Sequence, residues 1–128
     1  MDIKDGHGSL VALVEAGKIK NAKGDLIGRL EKGQVFDSTG KLIGVVKKST
    51  INGADGKGMA LYSDNELSTY SGAAMYQFIG KTVIDFAGTV VLNLSEEYTK
   101  FLEELLVYIV FFSKFWKDTN QIYSSPAY

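Results

Sequence analysis

GKIKNAKGDLIGRLEK (17–32) runs directly into GQVFDSTGKLIGVVKK (33–48), two copies of one 16-residue unit. Working outward, glycine recurs at Gly8, Gly24, Gly40, Gly56, Gly72 and Gly88, so residues 1–96 divide into six units that begin at Met1, Gly17, Gly33, Ser49, Asn65 and Lys81. Such a period reports how one supersecondary unit stacks on the next; it leaves the activity to be argued from a site. The third place of every unit is aliphatic (Ile3, Ile19, Val35, Ile51, Leu67, Val83). The eleventh is aliphatic or methionine (Val11, Ile27, Ile43, Met59, Met75, Val91), and the fourteenth is large and apolar (Val14, Leu30, Val46, Tyr62, Phe78, Leu94). These three columns are the expected core.

DGHG (5–8), NAKG (21–24), DSTG (37–40) and GADG (53–56) end in glycine, and several open on Asp or Asn. That is type I turn chemistry with a glycine free to take positive φ, the closure of a short hairpin. Each unit therefore reads as a β-hairpin, with a short strand at places two to four and a longer one at places nine to fifteen. TYSG (69–72) and DFAG (85–88) depart from the strict turn, which leaves the last two hairpins less sharply defined. Place twelve is small in four units (Ala12, Gly28, Gly44, Ala60) but Tyr76 and Leu92 in the others. A bulge near it would bring places eleven and fourteen, which a regular strand puts on opposite faces, to one side.

Beyond the repeats, Phe101–Trp116 reads FLEELLVYIVFFSKFW and is apolar on every face between Leu105 and Phe112. An element of that kind has to be buried on all sides. It is shorter than the about 20 apolar residues of a membrane span and is bounded by Glu103, Glu104 and Lys114. The Glu-Glu-Leu-Leu lead-in favours a helix over 97–117; the mediocre helix formers Val107, Ile109 and Val110 keep a thirteenth strand as the alternative. A closed barrel of twelve strands leaves a lumen. A helix is about 10–12 Å across and its apolar stretch roughly 18 Å long, close to the height of a tilted seven-residue strand. The expected fold is thus mostly β: six hairpin repeats forming a closed twelve-stranded antiparallel barrel around a hydrophobic C-terminal helix. Residues 118–128 form a polar tail of one 1–128 domain. A β-solenoid with one unit per coil is the competing fold.

Six hairpins followed by an apolar C-terminal helix resemble the tubby-like architecture shared by tubby C-terminal domains, LURP-one-related proteins and phospholipid scramblases. The unit itself, in KGDLIGRL and TGKLIGVV, resembles the small bacterial β-flower hairpin-repeat proteins, and residues 17–48 carry that likeness best. The resemblance implies a fold and no activity. Tubby domains hold phosphoinositide headgroups with lysine and arginine, and no such motif transfers residue by residue. The nearest counterpart is the set Lys32, Lys41, Lys47, Lys48 and Lys57, a candidate lipid or anion rim if neighbouring hairpins gather it; the plainer account is solvated strand ends.

With 14 basic and 15 acidic residues and Arg29 as the single arginine, no general footprint for nucleic acid is present. The absence of cysteine removes disulfides and thiol nucleophiles. The chain as written has no room for a secretory signal before its first unit, so a cytoplasmic location is expected. His7, alone in a turn, makes a poor metal or proton-transfer site, and the repeated Asp5, Asp37, Asp55 and Asp85 suit turn closure better than acid/base chemistry. Glu96, Glu97, Glu103 and Glu104 complement a helix N-terminus. Tyr70 and Tyr76 replace small residues of the earlier units and are the candidate aromatic contact face. The sequence reads as a non-enzymatic binding or structural module with a protein or lipid partner, without catalytic residues, cofactor, metal or membrane span. A peripheral anionic-lipid-binding domain is its first alternative and an enzyme of unknown class its second.

Overall fold

The structure, a computed structural model, describes residues 1–116. The short first strands of the units are β1 (Asp2–Asp5), β3 (Lys18–Asn21), β5 (Gln34–Asp37), β7 (Thr50–Gly53), β9 (Glu66–Thr69) and β11 (Thr82–Asp85). Their longer partners are β2 (Leu10–Glu15), β4 (Leu26–Glu31), β6 (Leu42–Lys47), β8 (Gly58–Tyr62), β10 (Ala74–Ile79) and β12 (Val90–Leu94). Each strand pairs antiparallel with its neighbours in sequence, and β1 pairs with β12 through Ile3 opposite Leu94 and Asp5 opposite Leu92, so the sheet closes into a barrel. Closure removes every unpaired edge.

The core columns face the lumen. All six place-three residues are fully buried. A bulge recurs in each hairpin: Ile19 faces Gly28 while Lys20 faces Leu26, which leaves Ile27 as the extra residue. The bulge thus falls at place eleven, next to the small residue, and lets Val11, Ile27, Ile43, Met59 and Val91 pack on the core beside the inward places twelve and fourteen.

The intra-unit turns share one hydrogen-bond scheme. Asp5 Oδ1 accepts from the His7 and Ser9 N–H groups at 2.9 and 3.0 Å, and Asn21, Asp37 and Asp85 do the same two and four residues on. These Asx turns hold the fourth turn residue, glycine, at φ between 86° and 89°. Units five and six keep the turn, against the expectation from their sequences. The Gly72 and Gly88 N–H groups donate to the Thr69 and Asp85 carbonyls at 2.9 and 3.0 Å, and Thr69 Oγ1 stands in for a carboxylate by accepting from the Ala73 N–H.

All Asx turns lie at one mouth of the barrel and all turns between units at the other. The chain leaves β12 at the inter-unit mouth, where the Ser95 N–H donates to the Asp2 carbonyl and the Tyr98 N–H to that of Gly80. It then enters the lumen as a 3₁₀ turn (Tyr98–Phe101), α1 (Leu102–Val107) and a wider π-type turn (Tyr108–Phe112). Leu105, Leu106, Val107, Tyr108, Ile109 and Val110 are buried in unbroken succession, as a plug surrounded by wall must be. The thirteenth strand is therefore excluded.

The plug is also shorter than the single helix expected over 97–117. It stops at Ser113, whose backbone is extended (ψ 162°). The Ser113 N–H donates to the Tyr108 carbonyl at 2.8 Å and its Oγ to that of Ile109 at 2.6 Å, satisfying carbonyls that the ending helix leaves open. Residues 114–116 turn helical again; Lys117 and the 118–128 tail lie outside the described residues.

Place twelve explains the fit. The Phe112 ring lies against Gly28 and the Phe111 ring against Gly44, at points where a Cβ would collide with them. Tyr76, on another part of the wall, fills the lumen and sits 6.4 Å, ring to ring, from both Phe115 and Trp116.

Candidate binding mouth

The turns between units carry the lysines into place. Lys32 (φ 50°) and Gly33 (φ 79°) make the tight reversal between β4 and β5, and Lys47, Lys48 and Ser49 (φ 69°) the next one. Tyr62, at place fourteen of the following unit, donates from its hydroxyl to the Lys47 carbonyl at 2.6 Å and so braces the second reversal. Together Lys32, Lys47, Lys48 and Tyr62 line an open depression of about 590 Å³, with Glu103 and Glu104 of the plug on its inner side. Burial pushes the Glu104 carboxyl up from its ordinary range, with the neighbouring Glu103 charge adding to the shift.

Lys41 and Lys57 are not part of this group. They stand just after Asx turns, hence at the opposite mouth, and line a separate depression of about 530 Å³ with Asp55, Leu42 and Met59. The aromatic pair is also divided. Tyr70 is 54% exposed and leans over Gly58 on the outside, whereas Tyr76 is buried in the lumen. They share no face. The carboxylates Glu103 and Glu104, read from the sequence as helix-start residues, do occupy the first turn of α1, but the same position brings them beside the lysines. No signal in the repeat places the plug's side chains against a particular unit.

The turn carboxylates are committed to structure. The Ser9 N–H, above all, holds the Asp5 carboxyl below its usual range, and the Thr39 hydroxyl does the same for Asp37. Acceptors of this kind are poor proton shuttles at neutral pH. His7 is exposed in its turn, and among the described residues no group of three or more His, Asp or Glu side chains is arranged to hold a metal ion. Among the described residues no helix is long and apolar enough to cross a membrane.

The burial of Glu104 gives a stability prediction. Its folded pKa is raised, so the penalty on the charged form is absent below the unfolded carboxyl pKa and is fully imposed once pH rises past the folded one. Stability should therefore fall as pH increases from about 4 through the weakly acidic range. Glu104→Gln should melt above the wild type at pH 7 and together with it at pH 3.5. Identical melting curves at pH 7 would mean that the burial penalty is negligible.

No protein-family model matches the chain, and neither does a curated protein or a solved structure.

Proposed function

We propose that this protein is a non-enzymatic binding module that captures an anionic group at the mouth bearing Lys32, Lys47 and Lys48. The observation that carries this reading is that two successive inter-unit turns place three lysines, Lys32, Lys47 and Lys48, along one open depression. The plug supports it as well, because a lumen filled by Leu105–Val110 leaves the mouths and outer wall as the surfaces on which a ligand can sit. Ammonium groups on short, braced turns recognise phosphate as point charges, and the recognised chemistry is a phosphate ester or diphosphate. Glu103 and Glu104 bound the site on its inner side, which keeps the anion at the lip of the barrel.

A lipid headgroup and a soluble phosphate both present this chemistry, and one experiment separates them. Co-sedimentation with vesicles of one-third phosphatidylserine and titration with pyrophosphate, both at low salt, are compared for the wild type and the Lys47→Glu/Lys48→Glu variant. The double reversal should lower the affinity by tenfold or more, and added salt should weaken wild-type binding in parallel. Vesicle binding without pyrophosphate binding assigns a membrane surface; the converse assigns a soluble phosphate. Failure of the wild type to bind either probe removes the proposal.

A further inference from the structure

The Asx-turn mouth holds a second feature, independent of the lysines. Between the end of the plug and β2 lies a cleft of about 330 Å³ whose apolar walls are Val11, Phe112 and Phe115. Its polar lining is Tyr108, Ser113, Lys114 and Asp5. Tyr108 is only 6% exposed as a whole residue, but its hydroxyl is not sealed from solvent, and no group among the described residues hydrogen-bonds it. The neighbouring polar groups are already engaged: Ser113 Oγ donates to the Ile109 carbonyl, and Asp5 Oδ1 receives two backbone N–H groups of its own turn. An apolar concavity with one or two orienting polar groups is the usual form of a small-molecule site. For scale, a dry cavity of about 150 Å³ takes up benzene.

We propose that this cleft binds a small aromatic molecule carrying one hydrogen-bonding end group. The ring packs among Val11, Phe112 and Phe115 and the end group pairs with the Tyr108 hydroxyl. Burial, with the Asp5 carboxylate adding to it, keeps the phenol protonated well above neutral pH, so its O–H is available as a donor. Asp5 and Lys114, of opposite charge on the same rim, disfavour a ligand of high net charge. A neutral phenol-like compound fits best.

The test is a titration of the isotope-labelled full chain with 4-methylphenol, followed by backbone amide chemical shifts, with toluene as the probe that keeps the ring and loses the hydroxyl. The expected result is saturable shifts confined to the neighbourhood of Asp5, Val11, Tyr108 and Ser113. Tyr108→Phe should weaken 4-methylphenol by about 3- to 10-fold, the worth of one net hydrogen bond, and leave toluene unchanged. Val11→Phe, which fills the cleft from the wall, should abolish both and serves as the decisive variant if Tyr108→Phe folds poorly. Lys47→Glu/Lys48→Glu, at the other mouth, should bind 4-methylphenol as the wild type does. Absence of saturable shifts, shifts centred elsewhere, or undiminished binding by Val11→Phe would overturn the proposal.

Discussion

Leu106→Ala is expected to remove about 2–5 kcal/mol of folding stability, against a total of about 5–15 kcal/mol for a domain of ordinary stability. Leu106 has no exposed surface and sits where the plug is enclosed by wall on every side. Truncation there leaves a void that a closed barrel cannot collapse, because all twelve strands are held by ladders on both sides. The measurement is denaturant unfolding followed by the emission of Trp116, buried beside Tyr76. Leu26→Ala supplies the control, since Leu26 lies on the outer wall and is 41% exposed; it should cost less than about 1 kcal/mol. Equal losses for the two variants would mean that the C-terminal segment does not fill the lumen in solution.

Gly44→Val should cost about 1–3 kcal/mol by overpacking, although a β-branched residue in a strand is ordinarily favourable. The new side chain would run into the Phe111 ring, and its Cβ would stand 2.9 Å from the Asn52 carbonyl oxygen. Phe111→Ala should therefore rescue part of the loss, and the double-mutant cycle should give a coupling energy of about 1 kcal/mol. The Asn52 contact survives in both backgrounds, so rescue is partial. A cost for Gly44→Val that does not change when Phe111 is truncated would show that the wall and the plug are not matched at this point.

How far the sequence was readable depends on whether the period carries the information. The columns at places three, eleven and fourteen and the bulge beside place twelve recur six times, and all of them mark the lumen face. The small residues at Gly28 and Gly44 were equally visible, but their cause lies in Phe111 and Phe112, outside the repeat. Nothing in a 16-residue period sets the rotation of the plug that brings those rings to units two and three. The same gap hid the approach of Glu103 and Glu104 to the lysine mouth, the stop at Ser113 and the Tyr108 cleft. Two further features do lie within the period. Lys41 and Lys57 follow Asx turns while Lys32, Lys47 and Lys48 lie at inter-unit turns, so counting places within the unit puts them at opposite mouths. Units five and six change the residues around their turn, yet Thr69 and Asp85 retain the side-chain oxygen that closes it.

The junction of β1 with β12 bears on how the chain reaches this state. Every other strand pairing joins immediate neighbours in sequence, so eleven of the twelve seams form with low contact order and close like a zipper from any starting hairpin. The last seam brings Ile3 to Leu94 across the whole repeat array, and it seals a ring whose interior must already contain the plug. During synthesis the plug is made after all six hairpins. Until it emerges from the ribosome, the six hairpins have no segment to cover their apolar inner face, and such a face is prone to aggregate while it stays open.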